Sequence, residues 1–579
     1  MERISILFSI LLAGYLSWSI FKGKALAFKF VSALILFTST VALTGFISGS
    51  LGQRVDGIAV FFGSMISLIL GKILINLDSK KTLALNVPDL SASQALNHKG
   101  DKSSWVFLCA FLGWAVLNLY LSSWQIIPQS VSVDSAAHYS LVRYLYEYKH
   151  LPASDWSFLW EIANYPFGFH LTVAIAATLF GVDPFYVMWI FAALLMGIVV
   201  ATACTMIYSD LRTRLYAAVV AVLWAFAMFL VSPYITESYS RSGFYPMVLG
   251  LVYIVMFIWC LRCFAEITWG KIFFVSIALS GMGLTYPQWL PLLFLMYAYL
   301  VYIKIGLSGA RRIVVLLIPI IISTAIGADF VLRNWDGLKY IYNIEGGVSM
   351  DSRYLAILAG GSFLLLLSIS FKKMSEGAQV TIAISLENLC RDYIFVLLIV
   401  VGLVGLVVIS KVIAGFGGMY PIYKYAYVLT PLFILFLSQS YVFRKGEGIR
   451  EQFKIAIPAV VLLGTLLHFG LHKFSPAIQE NEFNALKWVK KNIANDSVTY
   501  LNEAPFPLFG YAITGKPQTK GEFEWWVHPS PQFEAWKSQA GPGEIAIRSY
   551  VREDVVEKNN NGNFQVLYKD GDCVVIKKI

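Results

Sequence analysis

Long apolar runs separated by short polar connections fill the chain from Ile4 to Phe469, and a mixed polar tail follows. A helix needs about 20 apolar residues to cross the hydrocarbon of a bilayer. Fourteen runs approach that length: Ile4–Phe21, Phe28–Ser48, Ile58–Leu77, Trp105–Trp124, Pro184–Tyr208, Leu215–Val231, Pro246–Leu261, Ile272–Tyr286, Trp289–Gly306, Ile313–Phe330, Tyr354–Phe371, Tyr393–Ala414, Tyr427–Phe443 and Ile455–Phe469. A further run, Phe167–Gly181, has about 15 residues and opens on Pro166-Phe167-Gly168, which suits a re-entrant or interfacial helix better than a span. From about Ser475 the pattern changes. Glu482–Asn492 has helical spacing, with Phe483, Leu486 and Val489 apolar. Ser497–Leu501, Phe564–Tyr568 and Cys573–Ile576 are strand-like and are set off by turn formers such as Lys569-Asp570-Gly571-Asp572. The pattern predicts a membrane all-α protein: a polytopic bundle of about 14 transmembrane helices with a small C-terminal α/β domain.

The connections alternate in charge. One set holds Lys22 and Lys24, then Lys80, Lys81, Lys99 and Lys102, then Arg212 and Arg214, and continues through Lys271, Arg311, Lys372 and Arg444. The opposite short connections hold fewer basic residues, among them Arg54, Arg241, Arg333, Arg353 and Lys424. The richer set belongs on the cytoplasmic side. Both termini are then expected outside, and the tail becomes an extracytoplasmic domain in a multi-pass cell-membrane protein. The parity holds only if Phe167–Gly181 does not cross, which agrees with its length. Expected domains are 1–104 (first helices and a cytoplasmic loop), 105–474 (a transmembrane module with a large outer loop at 125–166) and 475–579 (the soluble domain).

Composition supports the pattern. The chain is 58% hydrophobic and 14% charged, with mean hydropathy +0.66, against about 25% charged in a soluble protein. Too little polar surface remains to cover a water-soluble core. The net charge of +10 is dispersed in short clusters between apolar runs, with no basic stripe and no nucleic-acid motif, so no nucleic-acid partner is expected. Of six cysteines only Cys573 lies in the tail, which excludes a bridge within that domain. Cys260 and Cys263 form a lone CxxC on a membrane run with no second pair, a weak basis for metal or redox chemistry. The first run lacks a clear small-residue cleavage site and is expected as a retained helix.

The stretch richest in candidate chemistry is Val133-Asp134-Ser135-Ala136-Ala137-His138-Tyr139, just beyond a span on the expected outer face. Asp134 and His138 share a face if this segment is helical. A carboxylate close to the bilayer is costly without a partner or a task. Asp134 is either a helix cap beside a solvated His138 or a functional acid. Glu237 either pairs with Arg241 across one helical turn or binds a ligand, and Lys424 is either a snorkelling lysine or an anion ligand. Trp289, after Thr285-Tyr286-Pro287-Gln288, is a stacking surface or a belt residue.

Asp134 soon after a span, the entry Asn164-Tyr165-Pro166-Phe167-Gly168-Phe169-His170 to a short apolar helix, and the Gly181-Val182-Asp183-Pro184 turn into a long span resemble the GT-C superfamily of membrane glycosyltransferases. Ala485-Leu486-Lys487-Trp488-Val489-Lys490-Lys491-Asn492 and Tyr568-Lys569-Asp570-Gly571-Asp572 are similar to the outer domain of many such enzymes. The resemblance implies a polyprenyl-phosphate-linked sugar donor, an acceptor hydroxyl on a glycan, lipid or protein, and a site in contact with membrane lipid. It implies Asp134 as general base with His138 beside it. Glu161, His170, Glu237, Arg241, Tyr286 and Gln288 would bind substrate and Lys424 the carrier phosphate. The chain departs from the pattern in having three spans before the usual first one and no DD or DxD pair at Asp134, so a divalent metal cofactor is not supported. A transporter or flippase of lipid-linked glycans is the reading from another class, but candidate polar groups at one face and no internal repeat favour an enzyme. A glycan ligase or polymerase shares the same expected fold.

Overall fold

A computed structural model describes residues 1–80, 102–121, 133–152, 162, 165–211, 215–231, 243–264, 266–305, 309–333, 335, 339, 342–343, 380–415, 417–443, 478–494, 498–500, 506–516, 536, 538, 540–548 and 564–579. The helices of the bundle are α1 (Glu2–Ile20), α2 (Leu26–Ser50), α3 (Gly57–Lys80), α4 (Ser103–Leu121), α5 (Val133–Tyr148), α6 (Gly168–Phe180), α7 (Pro184–Leu211), α8 (Leu215–Val231), α9 (Tyr245–Cys263), α10 (Trp269–Thr285), α11 (Leu290–Tyr299), α12 (Gly309–Arg333), α13 (Val380–Ala414) and α14 (Met419–Phe443). Eight described helices are long and apolar enough to cross a membrane. The protein is a polytopic helical membrane protein. The expected spans Tyr354–Phe371 and Ile455–Phe469 lie outside the described residues.

Burial sorts the helices. The apolar window of α9 is 94% buried and that of α7 83%, whereas α3 is only 17% buried, so α9 and α7 are central and α3 faces lipid. A helix apolar all round is compatible with either place, because lipid and protein interior are both apolar. Small residues permit the close contacts: Gly281 of α10 packs on Ser39 of α2, and Gly63 of α3 on Thr44. The expected span from Trp289 is less regular than its hydropathy suggests. A 3-10 turn over Pro287–Trp289 leads into α11, and a π turn over Leu300–Lys304 follows it. Pro287 and Pro291 sit in the first turns of these two helices, where the missing N–H costs no helical hydrogen bond.

Two helix-end clusters mark the faces of the bundle. At one end the Asp78 carboxylate accepts from the backbone N–H groups of Trp269 (2.7 Å) and Gly270 (3.1 Å), capping α10, while Lys24 Nζ donates to the Cys263 carbonyl at 2.9 Å. At the other, Lys149 after α5 pairs with Glu2 at the start of α1, and its carbonyl accepts from Val55 N–H at 2.7 Å. Lys149 adopts φ 55°, which turns the chain off the end of α5. Helix α6 has 13 residues and stops at left-handed Gly181 (φ 66°). Gly168 at its start packs on Thr285 at the end of α10, and Gly181 lies against Arg3 at the start of α1. Both ends of α6 therefore meet the same end of the bundle, as a non-crossing helix requires.

The tail forms a four-stranded sheet, β1 (Thr499–Tyr500), β2 (Ile545–Arg548), β3 (Phe564–Asp570) and β4 (Cys573–Lys578), in the order β1-β2-β4-β3. β1 and β2 are parallel and the other pairs antiparallel, with a bulge between Val566 and Tyr568. Helices α15 (Glu480–Asn492) and α16 (Phe506–Thr514) complete the domain. A reciprocal capping box of Gln479 and Glu482 starts α15, and Lys490 and Lys491 complement the dipole at its end. The two faces of β4 divide the packing: Cys573 and Val575 join the main core, Val574 and Ile576 the cluster around Trp536 and Phe564.

The domain docks on α5. Arg143, 3% exposed, donates through Nε to the Ala512 carbonyl at 2.7 Å and through Nη2 to both Asp183 oxygens at 2.6 and 2.9 Å. Lys490 of α15 also reaches Asp183, and Phe483 stacks on Phe185 at 5.7 Å. Asp183 further accepts from Phe185 N–H at 3.0 Å and so caps α7.

Candidate functional site

Helix α5 carries the expected acid. Its first turn begins at Val133, so Asp134 occupies the second helical position, one turn before His138. Gly243, at φ 70°, lets the chain before α9 press on this turn: a Cβ there would lie 2.8 Å from Ser135 Cα and 2.9 Å from its N. No side chain fits that contact, which binds the start of α5 to the start of α9.

His138 and His170 meet at the centre of this end of the bundle. Both are buried, and His138 Nδ1 lies 2.8 Å from His170 Nε2. His170 Nδ1 is 3.2 Å from the Pro166 carbonyl oxygen, which can only accept. His170 therefore carries its proton on Nδ1, its Nε2 accepts, and His138 donates from Nδ1. That assignment leaves His138 Nε2 with the lone pair. Burial holds the His138 imidazole well below its ordinary range, and His170 and Lys424 push it further down. These causes all favour the neutral imidazole, whose Nε2 can accept.

Aromatic rings wall the pair. Tyr165 approaches His138 edge-on at 5.0 Å, and Tyr245 lies 6.3 Å away. Lys424, 1% exposed, sits inside the first part of α14, because that helix begins at Met419, eight residues before the expected Tyr427. Its ammonium lies 3.0 Å from the Phe244 ring centroid, with Tyr420 at 4.7 Å and Tyr427 at 5.5 Å. The desolvated cation gains from these ring faces. Trp289 Nε1 donates to the Lys424 carbonyl at 3.2 Å, and Tyr425 Oη to the Gln288 carbonyl at 2.7 Å, so the 3-10 turn is tied to α14. The Tyr286 ring lies tilted against Trp289, with centroids 4.6 Å apart. The Tyr286 hydroxyl and Gln288 Oε1 are buried and have no hydrogen-bond partner among the described residues.

Of the expected site residues, His138, His170, Lys424, Tyr286 and Gln288 come together where α5, α6, α9, α14 and the 3-10 turn meet. Glu161, Glu237 and Arg241 lie outside the described residues. Tyr165, Phe244, Tyr245 and Tyr427 were not expected as a cage; the aromatic density around Tyr420-Pro421-Ile422-Tyr423-Lys424-Tyr425 was the available hint. Trp289 is buried and hydrogen-bonded, which is neither a belt position nor an open stacking face. Among the described residues no group of three or more His, Cys, Asp or Glu side chains is placed to hold a metal. A cavity of about 700 Å³ lies elsewhere, between the start of α1 and the end of α5, lined by Glu2, Arg3, Tyr146, Glu147 and Lys149.

No family profile and no curated protein matches the chain. Among solved structures, that of ArnT from Cupriavidus metallidurans bound to undecaprenyl phosphate is similar, with a TM-score of 0.49 and 13% identity, over 83% of this chain and 99% of that one. At that level the likeness assigns neither an activity nor a ligand to this chain.

Proposed function

We propose that the chain is a GT-C-type membrane glycosyltransferase that moves a sugar from a polyprenyl-phosphate carrier to an acceptor hydroxyl on the outer face of the membrane. One observation carries the reading: a buried lysine in an aromatic cage stands beside a neutral histidine pair, one turn along α5 from Asp134. A cation without water suits a lipid phosphate that enters from the bilayer, and the neighbouring groups on α5 are proton acceptors. In the reaction the acceptor oxygen attacks the anomeric carbon and gives its proton to Asp134. The bond from that carbon to the phosphate oxygen breaks, and the electron pair leaves with the lipid phosphate. Lys424 holds the carrier phosphate before and during transfer. His138, held in one tautomer by His170, orients a sugar or acceptor hydroxyl through Nε2. Tyr286 and Gln288 offer buried polar atoms to the sugar. The tail is the extracytoplasmic domain that seats α5.

The test is Asp134→Asn in purified protein supplied with a polyprenyl-phosphate sugar. Transfer should fall by about 10²-fold or more, the usual contribution of a general base. Folding should persist, because the change is nearly isosteric. Wild-type transfer by the folded variant would return Asp134 to a purely structural role.

A further inference from the structure

The lipid-facing side of α1 carries a cationic site at the end of the bundle remote from the histidines. Its core face is Ile6, Ser9, Ala13, Leu16 and Ser17, buried against the bundle. On the opposite face, three and four residues apart, stand Tyr15, Trp18 and Ser19, with Tyr15 55% and Trp18 54% exposed. Two lysines from different helices reach onto this stripe from its two sides. Lys29 of α2 places Nζ 3.7 Å over the Trp18 ring. Lys72 of α3 places Nζ 4.2 Å over Tyr15 and donates to Ser19 Oγ at 2.9 Å. Exposed Lys22 follows directly after the helix.

A half-buried ammonium at the edge of hydrocarbon is costly unless an anion or several acceptors meet it. Each ammonium has three donors. Lys72 uses one on Ser19, and Lys29 meets only a ring; neither pairs with a carboxylate among the described residues. Two cations that meet rings and a hydroxyl but no carboxylate among the described residues therefore flank one aromatic stripe near the C-terminal end of α1. Cations gathered between helices at headgroup depth attract anionic lipid.

We propose that Lys29 and Lys72, with Tyr15, Trp18 and Ser19, bind the phosphate of an anionic phospholipid in the leaflet at the C-terminal end of α1. The phosphate bridges the two ammonium groups and accepts from the Ser19 hydroxyl. The acyl chains run along the exposed face of α1.

The experiment is native mass spectrometry of the full chain released from phosphatidylglycerol or phosphatidylcholine vesicles. Phosphatidylglycerol should be retained in preference. Lys29→Gln with Lys72→Gln should lower that retention by roughly fivefold per lysine. Equal retention of the two lipids, or a folded double variant that keeps phosphatidylglycerol as the wild type does, overturns the site. A second measurement serves if the double variant misfolds. The Trp18 fluorescence, taken as the difference between the wild type and Trp18→Phe, should be quenched more by brominated phosphatidylglycerol than by brominated phosphatidylcholine. Equal quenching also overturns the site, as does displacement of phosphatidylglycerol by equimolar polyprenyl phosphate.

Discussion

Lys424 shows how one side chain can be visible in sequence while its setting is not. A basic residue in Tyr420-Pro421-Ile422-Tyr423-Lys424-Tyr425 stands out against apolar surroundings, and its neighbours hint at rings. The ring that lies nearest, Phe244 at 3.0 Å, comes from a segment 180 residues earlier, and no local pattern connects the two. The histidine pair is similar. His138 and His170 are each visible as polar residues in apolar context, but the 2.8 Å contact depends on α6 turning back beside α5. Pairing fixes the tautomer, and that follows from atoms rather than residue types. For Lys424 the expectation is kinetic. Lys424→Ala should raise KM for a polyprenyl-phosphate sugar by about 10-fold or more, the scale of a charged hydrogen bond, with kcat changed little. The contact with phosphate exists before and during transfer, so its loss weakens both states alike. Steady-state rates at varied donor test this, with helicity as the check on folding; an unchanged KM in the folded variant removes Lys424 from the donor site.

Elements were legible in proportion to their periodicity. The expected run Leu215–Val231 coincides with α8, and Glu482–Asn492 differs from α15 by two residues. Tail elements with weak alternation were missed: α16 is a nine-residue helix, and β2 has four residues. Their sequences look like generic apolar segments, and the contacts that define them are long-range, to α5 and β4. What joins the tail to α5 is ionic. Burial raises the Asp183 carboxyl, but Arg143 and Lys490 outweigh it, and the group ends below the ordinary aspartate range. A carboxylate with a lowered pKa in the folded state stabilises at neutral pH, and that stabilisation is lost as the pH falls through the lowered value. Docking should therefore hold at neutral pH and weaken only below about pH 4, the reference aspartate value. Asp183→Asn removes the pair at all pH values and leaves Arg143 buried without its main counter-ion, at a cost of about 3 kcal/mol. Amide hydrogen exchange in α15 and α16 should rise in this variant at pH 7 while the spans remain protected. Wild-type exchange there would mean that the Phe483–Phe185 and Tyr139–Phe509 ring contacts hold the domain without the ions.

For the whole molecule, hydropathy predicts the number and spacing of crossings, and charge predicts their direction. Both depend on where α6 is counted. As a crossing it would place the tail and the start of α1 on opposite faces. In the fold, α5, the start of α1, both ends of α6 and the C-terminal domain share one end of the bundle, while Lys24, Asp78 and Lys271 share the other. Lys24 and Lys271, from the Lys-rich connections, lie at that second end, so it should face the cytoplasm. A reporter fused after Ile579 and a second inserted between Asp78 and Ser104 should accordingly give opposite signals. Phosphatase activity, which needs the extracytoplasmic side, should come from the first, and green fluorescence, which needs the cytoplasm, from the second. The effect of moving charge tests the cause. Replacing Lys22, Lys24 and Lys80 by Gln should weaken the bias, because positive residues near the first spans set orientation most strongly. Equal signals from the two fusions would mean an even number of crossings between Asp78 and the tail. In that case either α6 spans the bilayer or one of the runs Tyr354–Phe371 and Ile455–Phe469 does not, and the proposed outer-face site would lose its access to a donor presented on that face.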